Sequence, residues 1–181
     1  IVLMGGQSLR MGTDKSQLLL NGQTLAQIAA CKLHEFTEEV YFSINTRQQH
    51  LELENTIVDH HDSEGPLSGI IASLKAVGGS IMVLGVDMPL ITKESIKRLI
   101  NERNWDLLTT TFYYEQKSTW EPMLSIWEYE TLPCLEDYFD QGGRSIQKFL
   151  NQYGNQRVPI MDAHEFTNVN TKEQFDTLQR I

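Results

Sequence analysis

The chain has 181 residues, a formal net charge of −9 and a pI near 5.0, and 40% of its residues are hydrophobic. That length is most simply one domain spanning 1–181, since domains commonly run ~100–200 residues, and the apolar content supplies a real core rather than a disordered chain. An acidic surface excludes a non-specific nucleic-acid binder, which needs a basic face, but leaves room for one nucleotide held by local cations.

The first four residues, Ile-Val-Leu-Met, read as a buried strand. The strand breaks into Gly5-Gly6-Gln7-Ser8-Leu9-Arg10-Met11-Gly12-Thr13-Asp14-Lys15. Glycines let the backbone approach a ligand and present bare N–H groups. Arg10 and Lys15 can neutralise phosphate charge, and Ser8 adds a hydroxyl. These are the parts of a nucleoside-triphosphate cradle. The spacing is not that of a Walker loop, in which Lys directly follows the last Gly, because Thr13 and Asp14 separate Gly12 from Lys15. Nor is it Gly-x-Gly-x-x-Gly, because Gly5 and Gly6 are adjacent. A merely flexible loop competes with this reading, but Ser8, Arg10 and Lys15 stand at defined offsets.

Thr24 and Gln27 have capping-box spacing, and Leu25, Ile28, Ala29, Leu33 and Phe36 form the apolar face of a helix. Val40, Phe42 and Ile44 alternate as a strand ending at Asn45, and Thr56–Val58 is a second ending at Asp59. Glu64-Gly65-Pro66 turns the chain into a helix over Leu67–Val77. Ser80–Val86 is a near-continuous apolar run, as a strand covered on both faces should be, and it ends at Asp87-Met88-Pro89. Thr92 caps a helix that faces Ile96, Leu99 and Ile100 inward. Leu107–Phe112 and Met123–Trp127 read as strands, and Gly142-Gly143-Arg144-Ser145 precedes a short helix with Ile146, Phe149 and Leu150. Val158–Met161 is a late strand, and Thr171 with Gln174 opens a last helix. Strands alternating with helices indicate a mostly parallel α/β sheet.

No run approaches ~18 consecutive apolar residues, so no membrane segment or membrane partner is expected. Cys31 and Cys134 stand in no metal spacing and read as reduced thiols of a cytoplasmic protein. The chain opens on Ile1 rather than Met and shows no signal peptide; the first strand is expected to begin a few residues earlier.

In open parallel sheets ligands bind at the carboxyl ends of the strands. The Gly5 loop, Asn45, Asp59 and Asp87 all fall at such ends and could share one crevice. Asp87 is well placed to hold Mg²⁺, a hard ion that prefers oxygen ligands, although an Asp can also simply cap the turn before Pro89. Asn45 and Asp59 suit a ribose, a base edge or the metal, and equally suit ordinary strand-end turns. Gly65-Pro66-Leu67-Ser68-Gly69 is either a helix N-terminus open to an anion or a tight turn with Gly69 packed against the sheet. His60-His61-Asp62 is mainly a polar loop, because adjacent residues on an extended chain point to opposite sides. Arg144 suits a phosphate, and Asn168-Val169-Asn170-Thr171 a turn and N-cap. Glu121-Pro122 has no role derivable from the sequence.

The pattern Leu-x-Gly-Gly-x-Ser-x-Arg-Met-Gly-x-Asp-Lys resembles the signature of the molybdenum cofactor guanylyltransferases, and the later motifs follow in that family's order across essentially the whole chain. The resemblance implies a Rossmann-like, three-layer nucleotidyltransferase fold. It implies transfer of GMP from GTP to molybdopterin or Mo-molybdopterin, with release of pyrophosphate. The nucleotide would meet Leu3, Met4, Gly5, Gly6, Ser8, Gly12, Lys15, Asn45, Asp59 and Asp87; Lys15, Arg10 and Asp87 would carry the chemistry; and Asp87 would hold Mg²⁺. Gly65, Pro66, Gly69, Arg144, Asn168 and Asn170 would meet the second substrate. Molybdenum-insertion and molybdoenzyme-maturation proteins are the partners it implies. Met4 departs from the family's usual Ala. The nearest alternative is the molybdopterin cytidylyltransferases, which more often show Leu-Ala-Ala-Gly where this chain has Gly5-Gly6. Another nucleotidyltransferase, such as a sugar-nucleotide pyrophosphorylase, and a non-catalytic nucleotide-binding domain are more distant ones.

Overall fold

The computed structural model describes residues 1–4, 14–60 and 65–179; Gly5, Gly6, Ser8, Arg10 and Gly12, and also His61 and Asp62, lie outside the described residues. The elements run β1 (Val2–Leu3), β2 (Leu19–Leu20), β3 (Gln23–Thr24), α1 (Leu25–His34), β4 (Phe42–Asn45), β5 (Thr56–Asp59), α2 (Pro66–Val77) and β6 (Ile81–Gly85). They continue with α3 (Lys93–Asn101), β7 (Thr109–Tyr114), β8 (Thr119–Trp127), α4 (Leu132–Asp140), α5 (Ile146–Gln152), β9 (Asn155–Pro159) and α6 (Lys172–Leu178). Seven strands form one sheet in the order β5-β4-β1-β6-β8-β7-β9. β1 pairs in parallel with β4 and β6, β4 with β5, and β7 with β9, while β8 runs antiparallel to both β6 and β7. The carboxyl ends of the parallel strands, and the amino end of β8, therefore share one edge.

The alternation of side chains along each strand decides which helices cover which face. Val2 and Met4 point into a core shared with Ala26, Ala29, Ala30 and Leu33 of α1 and Ile96 and Leu99 of α3. Leu3, one residue out of phase, points into the opposite core with Leu67, Ile70 and Leu74 of α2, Leu135 of α4 and Phe149 of α5. Helices on both faces of a mostly parallel sheet make the three-layer α/β arrangement expected from the sequence. The chain moves outward from β1 to β4 and β5, then crosses back to β6 on the other side of β1, which puts the topological switch beside β1.

Local signals fix the element starts. Thr24 Oγ1 accepts the Gln27 N–H at 3.1 Å while Gln27 Oε1 accepts the Thr24 N–H at 2.9 Å, a closed capping box worth about 1 kcal/mol. Thr92 caps α3 through the Ser95 N–H, and Thr171 with Gln174 closes a second box on α6. Asn21 and Gly22 both have positive φ and form the two-residue turn joining β2 to β3.

Some elements differ from the sequence expectation. β8 begins at Thr119 rather than Met123, and β7 runs from Thr109 to Tyr114 rather than from Leu107 to Phe112. Pairing passes from Thr111 with Ser125 to Phe112 with Glu121, so Pro122, Met123 and Leu124 are extra on the β8 side. That bulge interrupts the alternation that would have marked one continuous strand. The last strand occupies Asn155–Pro159, earlier than Val158–Met161. α4 was not expected at all. Its Leu132, Leu135 and Phe139 face the core, and Pro133 lies in its first turn.

Gly69 illustrates how closely α2 lies on the sheet. A Cβ there would sit 2.8 Å from Ser43 Oγ and 3.1 Å from Leu3 Cδ1. Gly69→Val is expected to push α2 off β1 and β4 and to cost about 2–3 kcal/mol in denaturant unfolding. An unchanged unfolding midpoint would show that the contact yields easily.

Candidate functional site

Asp87 is placed by a tight turn after β6. The Val86 N–H donates to Leu3 O at 3.2 Å, the Met88 N–H to Gly85 O at 3.2 Å, and the Val169 N–H to Asp87 O at 2.8 Å. Gly85 has to be glycine for this turn: a Cβ would lie 2.7 Å from Asp87 Oδ1 and 3.2 Å from Met123 Cβ. Burial raises the Asp87 carboxyl above its ordinary value, and the positive charge of Lys15 counters that rise.

Lys15 opens a 3-10 turn capped by Asp14. Asp14 Oδ1 accepts both the Ser16 N–H at 2.9 Å and the Ser16 hydroxyl at 2.8 Å. Its Oδ2 accepts an amide N–H of buried Gln48 at 2.7 Å. The same Gln48 amide reaches Met4 O at 3.4 Å, and Gln48 Oε1 accepts the Asn45 N–H at 3.1 Å. One glutamine thus joins the end of β1, the end of β4 and the turn that carries Lys15. Lys15 Nζ donates to Asn170 Oδ1 at 2.5 Å, bringing a late segment of the chain to the same edge.

Not all the expected residues meet. Lys15, Asp87, Asn168 and Asn170 form one group around the end of β6. Asn45 caps the turn after β4, its Oδ1 accepting the Arg47 N–H at 3.0 Å. Asp59 is buried at the end of β5, where Ser68 of α2 donates to its Oδ2 at 2.5 Å. Three strand spacings separate β5 from β6, about 14 Å, so Asp59 cannot share an ion with Asp87 but can reach the far end of an extended nucleotide. Leu3 and Met4 bury their side chains in opposite cores, so any ligand contact of theirs is through the backbone.

Within the second-substrate set, Gly69 and Arg144 each have a structural partner of their own. Gly69 is buried within α2, where its small size serves the close packing against the sheet that was one of its two sequence readings. Gly65 has φ +88° and precedes α2 without a side-chain cap, with Pro66 in the first turn. Arg144 Nη1 donates to Phe139 O at 2.5 Å and to Gly143 O at 2.9 Å, and its guanidinium lies 3.7 Å over the Phe139 ring. These contacts close the carboxyl end of α4. The Arg144 backbone comes near Gly65, which keeps that turn at the rim of the same edge.

Glu121 was singled out in the sequence without a role. It is 8% exposed, and burial lifts its carboxyl to about 7. The Met123 N–H, the Asn168 amide and Lys117 oppose that rise, while the negative charge of Asp87 adds to it. Gln48 and Asp14 were also missed. The available signal for Glu121 was Pro122 within an apolar run, since proline inside a sheet marks an edge or a bulge.

A mostly parallel sheet with Lys15, amides and carboxylates gathered at its carboxyl edge, beside the topological switch, defines a three-layer Rossmann-like α/β protein with its polar crevice where such folds carry their sites. The profile of the MobA-like NTP transferase domain matches residues 1–158, and the chain belongs to that family. It is 32% identical over 158 residues to the molybdenum cofactor guanylyltransferase of Pseudomonas entomophila, covering 83% of this chain and 80% of that protein. A probable molybdenum cofactor guanylyltransferase of Opitutus terrae is 29% identical, covering 99% of this chain and 93% of its own length. The crystal structure of molybdopterin-guanine dinucleotide biosynthesis protein A from Archaeoglobus fulgidus superposes with a TM-score of 0.82 at 25% identity, over 99% of this chain and 95% of that one.

Between the ordinary carboxyl value of 4.5 and about 7, folded Glu121 holds its proton while the unfolded chain releases it. The unfolded state then binds fewer protons, so stability falls as pH rises through this window, by on the order of 3 kcal/mol. Denaturant unfolding of wild type and Glu121→Gln from pH 4.5 to 7 is expected to show the difference in stability between the two shift by this amount against the wild type as pH rises, since the buried Ile1 ammonium and Asp87 titrate in both. Parallel curves would refute it.

Proposed function

We propose that this chain transfers GMP from GTP to the terminal phosphate of molybdopterin, releasing pyrophosphate and forming the guanine dinucleotide cofactor. The observation that carries the reading is the gathering of Lys15, Asp87, Asn168 and Asn170 at the carboxyl edge of a sheet whose family consists of MobA-like NTP transferases. Gly5-Gly6 and the guanylyltransferase relatives favour guanine over cytosine.

The chemistry suits these residues. A phosphomonoester with a second pKa near ~6 is largely dianionic at neutral pH, so it attacks the α-phosphorus without a general base. A bond forms from its oxygen to that phosphorus as the bond to the pyrophosphate oxygen breaks. Catalysis then rests on positioning and charge stabilisation. Lys15, oriented by Asn170, sits where it can offset charge on the leaving pyrophosphate. The Gly5–Gly12 segment would supply backbone N–H groups, and Arg10 a second cation.

The donor set fits Mg²⁺. Asp87 offers a carboxylate, and the neighbouring Asn168 Oδ1 is buried without a hydrogen-bond partner among the described residues. Bound there, Mg²⁺ would neutralise phosphate charge in the transition state. Asp59 and Asn45 lie toward the nucleoside end. Delivery of molybdopterin and use of the product would bring in molybdenum-insertion and molybdoenzyme-maturation proteins.

Calorimetry with GTP, CTP and ATP in the presence of Mg²⁺ is expected to show a clear preference for GTP; preference for CTP would move the assignment to cytidylyl transfer. Lys15→Ala is expected to lower kcat for GMP transfer by roughly 10²–10³. Asp87→Ala is expected to abolish Mg²⁺-dependent turnover with the fold intact by circular dichroism. Near-normal turnover in Asp87→Ala would remove the metal assignment.

A further inference from the structure

Gln48 lies just beyond β4 and is only 4% exposed, so each polar atom of its amide needs a partner inside the protein. Each has one. Its Oε1 accepts the Asn45 N–H at 3.1 Å, and its Nε2 faces two acceptors, Asp14 Oδ2 at 2.7 Å and Met4 O at 3.4 Å. A side-chain amide can often be turned over without a change of shape. Here it cannot, because the Asn45 N–H only donates while the carboxylate and the carbonyl only accept. The amide has one orientation, set by three groups from separate parts of the chain: the end of β1, the end of β4 and the turn that carries Lys15.

Asp14 completes the arrangement from the other side. Its Oδ1 takes both the N–H and the hydroxyl of Ser16, and its Oδ2 takes Gln48, so both carboxylate oxygens are engaged within the protein. The Gln17 N–H closes the turn on Asp14 O at 3.1 Å and the Leu18 N–H on Lys15 O at 3.0 Å. Lys15 stands between Asp14 and Ser16. The cap therefore fixes where its stem leaves the backbone, while Asn170 holds the far end at 2.5 Å. Asn45, on the other side of the same amide, has its N–H on Gln48 and its Oδ1 on the Arg47 N–H. We infer that Gln48 is a positioning residue for the nucleotide: acting through Asp14, it holds the Lys15 turn against the end of β4, so that Lys15 and Asn45 meet opposite ends of one bound GTP at a fixed separation. This rests on the reading of Lys15 and Asn45 as nucleotide contacts.

The test reads GTP affinity of the full chain by calorimetry, and amide hydrogen exchange of the same chain without nucleotide. Gln48→Met keeps the length of the side chain and removes its donors and its acceptor. It is expected to weaken GTP binding by at least ~10-fold and to speed exchange of the Ser16 and Gln17 amides by a similar factor, with the α2 amides in the opposite core unchanged. Gln48→Glu sets a second carboxylate against Asp14. Two such groups share one proton and repel once it is lost, so GTP affinity relative to wild type is expected to fall between about pH 6 and about pH 9. Adding Asp14→Asn swaps donor and acceptor: the new amide donates to the new carboxylate while its oxygen still accepts from Ser16. The double variant is expected to bind GTP within ~3-fold of wild type across that range. A merely stabilising glutamine would lower the thermal midpoint of the single variants and leave the GTP affinity of the folded chain untouched. Wild-type affinity in Gln48→Met, a double variant as weak as Gln48→Glu, faster exchange spread equally over α2, or a wild type that binds no GTP would each overturn the inference. GMP transfer does not enter these measurements. A chain that binds GTP and obeys the swap but transfers nothing counts against the proposed function, and a chain that transfers GMP without this coupling counts against Gln48.

Discussion

β1 is two residues long and lies in the middle of a seven-stranded sheet, bonded along both sides. Its short backbone meets Tyr41 and Ser43 on one flank and Leu84 and Val86 on the other. Those bonds align the ends of β4, β1 and β6 in the same direction, and nearly everything at the site follows from that alignment. The glycine segment leaves from the end of β1. The turn that returns the chain to Lys15 is clamped by Gln48, itself just beyond β4. Asp87 emerges one turn beyond β6, where its neighbour Val86 still bonds to β1. A slip of one residue would send Val2 and Leu3 to the wrong faces and separate the two ends on which the site is built.

The electrostatic character of the edge follows from burial as much as from composition. Lys15 faces Asp87, and Glu121 stands close by, within range of the negative charge of Asp87 and the positive charge of Lys117. Water is partly excluded, so these charges interact more strongly than on the outer surface. The result is a pair of carboxyls raised by burial at this edge, in contrast to buried groups tied into ion pairs elsewhere. Arg103 and Glu128, for example, form a two-point contact at 2.7 and 2.6 Å at the opposite end of β8.

Much of this was legible in the residues because local rules and the global fold agree. Capping boxes at Thr24 and Thr171, the apolar run ending at Asp87 and the strand-end polar residues each reported their place correctly. The misses have a common cause: they depend on partners distant in sequence. Gln48 looks like an ordinary residue of a short turn until Asp14 and Met4 are brought beside it. Gly69 stood between a ligand and packing against the sheet, because the glycine alone does not say that Ser43 fills the space beside it. Arg144 suggests a phosphate in the sequence, and nothing local announces that its guanidinium also reaches Phe139 O at the end of α4. Pro122 carried the one local hint of the bulge, and without β6 and β7 on either side it does not show where Glu121 goes.

The bond from Lys15 to Asn170 spans 155 positions of the chain. A polypeptide emerging amino end first presents the lysine long before the asparagine that orients it, and Asp87 waits equally for Val169. The Lys15–Asp87 end of the candidate site therefore assembles last. A ligand that engages both segments would bind only the completed chain, and would favour it over every shorter one.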